Sequence, residues 1–78
     1  MTKTQPTIGE RVRLTREIWR YPHFKAFAGQ AGLVVSDEHD IYAVRMDDVI
    51  EGAEEWANEI HWYPQNGDVP AEDLERIV

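Results

Sequence analysis

The sequence predicts a small all-β barrel of about five mostly antiparallel strands, with a long first loop and a helical turn before the last strand. Three observations predict this fold. Charged and apolar residues alternate with period two over residues 10–15, which is typical of a half-buried strand. The alternation returns over residues 60–63. A turn-rich stretch then leads to Pro70, which favours the first position of a helical turn, before a short apolar close at residues 74–77.

The first strand follows a polar segment, residues 1–7, that we interpret as a flexible leader preceding a single domain over residues 8–78. The leader has no apolar run of the kind found in a signal peptide. In the strand itself the alternation directs Val12 and Leu14 inward and leaves Arg11 and Arg13 outside.

Residues 16–30 show no clean period and hold four aromatic residues and a histidine. Pro22 prevents a helix there and biases Tyr21 toward an extended conformation. A connection this long in a small domain is usually functional or folded back on itself. We therefore predict a long first loop that packs against the barrel.

The second and third strands are predicted over residues 31–35 and 41–46, joined by a polar turn at residues 37–40. Gly29 and Gly32 occupy positions where a tight bend or a close backbone approach needs a residue without a side chain. The alternation of the third strand places Tyr42, Val44 and Met46 on one face and Ala43 and Arg45 on the other, and the two strands are predicted to form a hairpin.

Residues 47–58 fit two patterns. Val49, Ala53, Trp56 and Ile60 follow a helical spacing, whereas Gly52 and the neighbouring acidic residues favour a loop. We interpret the region as a loop with one helical turn at most, leading into a strand over residues 56–63.

The length of 78 residues corresponds to one domain. The chain contains no cysteine, so no disulfide and no thiolate metal site can stabilise it, and an apolar core must do so. Ten apolar residues are predicted to supply much of that core: Val12, Leu14, Leu33, Val34, Val35, Ile41, Val44, Val49, Ile60 and Trp62.

Two segments carry a resemblance to a known fold. Gly9-Glu10-Arg11-Val12-Arg13-Leu14 and Gly29-Gln30-Ala31-Gly32-Leu33-Val34-Val35 look like the opening of a KOW-type SH3-like domain, with a longer intervening loop. The resemblance implies a small SH3-like barrel, a fold that hosts many binding roles and by itself identifies none of them. The chain also resembles uncharacterised proteins of actinobacterial phages and prophages, which carry motifs similar to Arg20-Tyr21-Pro22-His23-Phe24 and Glu59-Ile60-His61-Trp62-Tyr63-Pro64.

The charge is distributed unevenly along the chain. Residues 1–35 carry six basic and two acidic side chains, whereas residues 36–78 carry two basic and thirteen acidic ones. Two interpretations stay open at this point. The charges either balance one another within the fold, or they form one basic patch and one acidic face that attract different partners.

The leading functional hypothesis is a non-enzymatic module, of phage or prophage origin, that binds a protein partner through the aromatic and basic side chains of the first loop. Aromatic residues and arginine are enriched at interface hot spots. The predicted partner-binding residues are Trp19, Arg20, Tyr21, Pro22, His23 and Tyr63. The alternative for the loop is that Trp19, Phe24 and Phe27 extend the core.

Two other binding hypotheses remain. In the first, the chain binds nucleic acid weakly through basic side chains that contact phosphates. Those side chains are Arg11, Arg13, Arg16, Arg20 and Lys25. The chain's pI of about 4.7 disfavours this hypothesis, because nucleic-acid-binding KOW domains are usually basic. In the second, the acidic half imitates a phosphate array and inhibits a host DNA-binding protein.

The sequence shows no signature of catalysis and no cofactor motif. Ser36 is the only serine, and no pattern resembles a nucleophile elbow or a phosphate loop. The acidic run at residues 37–40 and the three histidines lack recognised metal-ligand spacing. We accordingly predict a cytoplasmic protein without enzymatic activity, cofactor, metal or membrane segment, present as a monomer or as a homodimer formed by edge-strand pairing.

Overall fold

The computed structural model describes residues 5–20, 24–38, 40–53 and 57–77, and across these residues the chain forms seven short strands and two helical turns. The elements follow one another along the chain as β1 (Arg11–Leu14), β2 (Ile18–Arg20), β3 (Phe24–Ala26), β4 (Ala31–Asp37), β5 (Tyr42–Met46), β6 (Glu59–Trp62), a 3-10 turn (Pro64–Asn66), α1 (Pro70–Asp73) and β7 (Leu74–Arg76). The prediction of an all-β fold is confirmed.

Five of the strands form one antiparallel sheet in the order β6-β5-β4-β1-β7. The chain's last strand therefore lies beside its first, with Leu14 opposite Leu74. Within the described residues the sheet stays open between β6 and β7. The register between β4 and β5 shifts between Val34 and Ser36, and such a bulge bends a strand and increases its twist.

Period-two alternation explains the core. Along β1 the exposed Arg11 and Arg13 alternate with the buried Val12 and Leu14, as the sequence predicts. Ile60 and Trp62 are likewise buried on one face of β6. The core cluster comprises Val12, Leu14, Ile18, Ala26, Val34, Tyr42, Val44, Met46, Ile50, Ala53, Ile60, Trp62 and Leu74.

Gly32 lies in the centre of the sheet, where β4 passes between β1 and β5. A Cβ atom on this residue would stand 2.6 Å from the carbonyl oxygen of Arg45 and 2.7 Å from a methyl carbon of Val44. The prediction that a glycine is needed for a close backbone approach is confirmed at this position.

Two residues that the sequence assigns to the core are exposed. Val49 is 79% exposed and Ile41 is 40% exposed. Val49 lies in the loop after β5, where the next residue, Ile50, turns inward in its place. Ile41 precedes β5, and Tyr42 is the first residue of that strand to enter the core.

Residues 5–7 differ from the flexible leader that the sequence predicts. Pro6 is fully buried, and its carbonyl oxygen accepts a hydrogen bond of 2.6 Å from the Tyr42 hydroxyl. The Arg76 guanidinium donates to the carbonyl oxygen of Gln5. These contacts hold the segment against the sheet, and residues 1–4 lie outside the described part of the chain.

Residues 47–53 and 57–58 form a loop, as predicted, and Asn58 organises it. The backbone of Asn58 is left-handed, with φ of 61°. Its side-chain oxygen accepts from the Ile50 amide at 2.8 Å, and its side-chain nitrogen donates to the carbonyl oxygens of Met46 and Asp48. Residues 54–56 are not described, so the helical alternative for that part is untested.

The predicted long first loop contains a second, two-stranded sheet. Strands β2 and β3 pair with Ile18 opposite Ala26, Trp19 opposite Lys25 and Arg20 opposite Phe24. The hairpin packs on the five-stranded sheet through Ile18 and Ala26, which are buried in the core cluster. The packing of the loop is therefore as predicted. The pairing of two strands within the loop was not predicted.

Candidate binding cleft beside the β2–β3 hairpin

The hairpin presents Trp19 to solvent. The side chain lies on β2 and is 66% exposed, whereas its neighbour Ile18 is buried. Period two explains the difference, because successive side chains of a strand point to opposite faces. Trp19 and the exposed Phe27 therefore do not extend the core, and that alternative is wrong for both of them.

The other predicted partner-binding residues have different outcomes. Arg20 belongs to β2, but its side chain is outside the described part of the structure, as are Tyr21, Pro22 and His23. Tyr63 follows β6, is partly exposed, and packs edge-to-face on the His61 ring with the ring centres 6.4 Å apart. The structure thus describes the side chains of Trp19 and Tyr63 from this set.

A cleft of about 280 Å³ lies between the start of the hairpin and the segment around α1. Residues 16–19 line one side, and residues 67–69 with Glu72 and Asp73 line the other. We call this concavity the Trp19 cleft. Tyr63 is not among its lining residues, but its backbone amide donates to the Asp68 carboxylate at 2.8 Å, which fixes a cleft residue against the end of β6.

Asp73 connects the cleft with the core. Its side chain is only 6% exposed, and its Oδ2 atom accepts a hydrogen bond of 2.8 Å from the Trp62 indole N–H. Its Oδ1 atom lies 2.6 Å from an Arg16 nitrogen, an ion-pair contact that lacks hydrogen-bond geometry. Arg16 is mostly exposed, so this buried carboxylate is balanced by a cation at the cleft surface.

Acidic side chains predominate in the Trp19 cleft. Among the described side chains, four carboxylates line it, against the single guanidinium of Arg16. Arg16 pairs with Asp73, and Glu17 pairs with Lys25 across the hairpin at 2.9 Å. Glu72 forms no ion pair with any side chain in the described ranges, and Asp68 accepts from a backbone amide. The cleft therefore retains negative charge.

A second concavity of about 500 Å³ lies at the other end of the hairpin. We call it the Phe27 groove. It is lined by Lys25, Phe27, Gln30 and residues 49–52. Phe27 and Val49 give it exposed apolar surface. Its charged lining residues are one lysine and one glutamate, so it offers no clear electrostatic preference.

The basic side chains proposed for nucleic-acid binding are already paired. Each of the six basic side chains that the structure describes contacts a carboxylate. The pairs are Arg11–Asp47, Arg13–Glu75, Arg16–Asp73, Lys25–Glu17, Arg45–Glu59 and Arg76–Glu10. Of the five residues in that hypothesis, only the Arg20 side chain lies outside the described part. The interpretation of internal charge balance is therefore correct for these six.

Two of these ion pairs lower the pKa of their carboxyl group. Hydrogen bonding to the Arg11 guanidinium lowers the pKa of Asp47. The hydrogen bond from Arg76, joined by one from the Thr7 amide, lowers the pKa of Glu10 below its ordinary value of 4.5. Burial raises the pKa of the Tyr42 phenol, with the Glu10 carboxylate adding to the effect. None of these groups lines the Trp19 cleft.

The described side chains in and beside the polar turn between β4 and β5 form hydrogen bonds within the fold. Asp37 accepts from the Ile8 amide at 3.1 Å, and Asp40 accepts from the Gln65 side chain at 3.0 Å. The Ser36 hydroxyl donates to the Ile41 carbonyl oxygen at 2.9 Å. In the described ranges no three histidine or acidic side chains are grouped as metal ligands would be.

Sequence reasoning missed the acidic side of the cleft. Asp68, Glu72 and Asp73 lie about fifty residues from Trp19 along the chain, so only the pairing of β7 with β1 brings them near it. One signal was available, since Pro70 opens a helical turn that must pack close to the end of β1 if the barrel closes as predicted.

No protein-family model matches this chain, and neither a curated protein nor a solved structure is significantly similar to it. Among the described residues, no helix has both the length and the apolar character needed to span a membrane.

Proposed function

We propose that this chain is a non-enzymatic binding module that holds a protein partner in the Trp19 cleft. The observation that carries the proposal is the exposure of Trp19 on a hairpin that borders a concavity. A tryptophan that is 66% exposed contributes little to the core, yet it offers the large, rigid contact area that is typical of interface hot spots.

We also propose that the fold is a small SH3-like barrel. The strand order β6-β5-β4-β1-β7 supports it, as do the long excursion between β1 and β4 and the helical turns before β7. In such folds a stable sheet carries the loops that contact ligands. An accessory role in a phage or prophage stays a prediction from the sequence resemblance.

The charge pairing weighs against the nucleic-acid hypothesis. A phosphate would have to displace Asp47, Glu75, Asp73 or Glu17 from its basic partner. Counterion release, which drives phosphate binding, requires cations that are free to neutralise phosphates. The acidic-mimic hypothesis keeps support from the carboxylates that remain after pairing, because they outnumber the described basic groups.

The proposal is tested by affinity capture from a cell lysate with the tagged protein, with and without nuclease. Trp19→Ala is the test variant, and Phe27→Ala is the matched control, because both replace an exposed aromatic residue of the hairpin region. We expect to capture a protein that stays bound after nuclease treatment. The Phe27→Ala variant should still capture this protein, and the Trp19→Ala variant should not.

Two results would reject the proposal. One is capture that Trp19→Ala leaves unchanged while the variant is folded. The other is recovery of nucleic acid alone, released by nuclease and by added salt, which would favour phosphate binding instead.

A further inference from the structure

We propose that the Trp19 cleft selects a basic, extended peptide segment, with an arginine or lysine side chain held beside Trp19 by the carboxylates of Asp68 and Glu72. This inference rests on the proposed function and specifies the chemistry of the partner. It differs from the sequence-based hypothesis, in which the hairpin was the basic side of the interface.

Charge provides the first argument. Among the described residues, the basic side chains of the cleft and of the adjoining hairpin are already engaged. Arg16, which lines the cleft, contacts Asp73, and Lys25 of the hairpin contacts Glu17. Glu72 forms no ion pair within the described ranges. A hydrogen bond from a backbone amide leaves the charge of Asp68 in place. An incoming cation therefore meets uncompensated carboxylates, whereas an incoming anion meets none of the described basic groups unpaired.

The buried carboxylate of Asp73 provides the second argument. Asp73 lines the cleft, and its Oδ1 atom is buried and accepts no hydrogen bond from the described residues, although Arg16 lies in ion-pair contact. A buried carboxylate oxygen favours a well-aligned charged donor. A guanidinium from a partner could supply that geometry in place of, or beside, the exposed Arg16.

The apolar lining provides the third argument. The face of a tryptophan attracts cations, and a planar guanidinium stacks on it well. Val69, on the opposite side of the cleft, is 45% exposed. The methylene groups of lysine and arginine pack on such surface while the charged end stays near carboxylates. An amphipathic basic side chain satisfies both kinds of lining at once.

The size of the cleft provides the fourth argument. Its volume of about 280 Å³ lies at the lower limit of small-molecule pockets, which measure roughly 300–1,000 Å³. One or two side chains of an extended segment fit a space of this size better than a bulky ligand does.

The test uses synthetic extended peptides that differ only in carrying arginine, lysine, serine or glutamate at matched positions. Binding to the full-length protein is followed by NMR, through the indole N–H signal of Trp19, which Trp19→Phe assigns. We expect the arginine and lysine peptides to shift this signal and the backbone signals of residues 16–19 and 67–73. The glutamate peptide should leave them unchanged.

Variants then test the assigned groups. Glu72→Gln should weaken binding of the arginine peptide about two- to five-fold, the range for an exposed ion pair. Glu51→Gln is the matched control, because Glu51 is an exposed acid that lines the Phe27 groove instead, and it should leave affinity unchanged. Trp19→Ala should weaken binding about tenfold or more.

Equal binding of serine and arginine peptides, or identical affinities for Glu72→Gln and the parent protein, would overturn this inference but leave the proposed function standing. Absence of Trp19 shifts with every peptide would also overturn it. The proposed function fails separately, if the lysate experiment yields no protein whose capture depends on Trp19.

Discussion

The five-stranded sheet and the β2–β3 hairpin use their large side chains in opposite ways. The sheet buries Trp62 and Tyr42 edge-to-face, with ring centres 6.0 Å apart, in the middle of the core. The hairpin buries the smaller Ile18 and Ala26 and exposes Trp19. The comparison shows that large aromatic side chains are buried in one region and exposed in the other. If Trp19 binds a partner as proposed, stability and binding should respond to different substitutions.

The largest expected effect comes from adding a side chain at Gly32, where β4 and β5 approach closely. Gly32→Ala should lower the free energy of unfolding by about 3 kcal/mol, because its Cβ would meet the Arg45 carbonyl, a backbone atom that cannot swing away. Urea unfolding measures this. Gly29→Ala is the comparison, since nothing lies within 4 Å of a Cβ there and only its positive φ is strained, at about 1 kcal/mol. Equal losses in the two variants would contradict the crowding argument.

A smaller effect is expected at Asp73 of α1, which contacts Trp62 of the sheet and Arg16 beside the hairpin. Asp73→Ala should cost about 2 kcal/mol, because it leaves the buried Trp62 indole N–H without its acceptor. Arg16, being mostly exposed, is hydrated when it loses its partner. Asp73→Asn keeps an acceptor oxygen and should cost less. If the two variants unfolded at the same urea concentration, the hydrogen bond would not be the source of the stability.

Acid should weaken the sheet's contact with residues 5–7. The pKa of Glu10 is lowered in the folded state, chiefly by its hydrogen bond with Arg76. Its contribution to stability is therefore complete above its ordinary pKa of 4.5 and is lost as the pH falls through the lower folded value. Urea midpoints measured across this range should fall less steeply for Glu10→Gln and for Arg76→Gln than for the parent. Parallel slopes would refute the assignment.

The smallest expected change in stability is that of Trp19→Ala. Substitution of a residue as exposed as Trp19, at 66%, usually changes the free energy of unfolding by no more than about 0.5 kcal/mol. Urea unfolding and the partner-binding assays on the same sample would then separate the two regions. A loss of stability comparable to that of Asp73→Ala would show that the hairpin's exposed face supports the fold after all.

Local pattern was enough to predict much of the sheet. The alternation around Val12 and the position of Gly32 both reflect constraints within a few residues of chain, and they were predicted correctly. The hairpin was not, because three-residue strands are too short to display a period. Its pairing depends on contacts that sequence spacing does not show.

Tertiary context decided the remaining features. Asn58 adopts a left-handed backbone, which asparagine tolerates better than most residues, and its three side-chain hydrogen bonds depend on the path of the whole loop. Asp73 reads in sequence as one of several acids, yet Trp62 and Arg16 enclose it. The acidic side of the cleft was therefore not predictable from residues that lie near Trp19 in the chain.

The hydrogen bond between Tyr42 and Pro6 has a practical consequence for choosing domain boundaries. A fragment trimmed to the start of the first alternation would remove the acceptor of a buried phenol and uncover the surface that Pro6 now fills. A buried hydroxyl without an acceptor costs about 1–3 kcal/mol, a large share of the stability of so small a domain. Any minimal expression fragment should therefore retain Gln5 and Pro6.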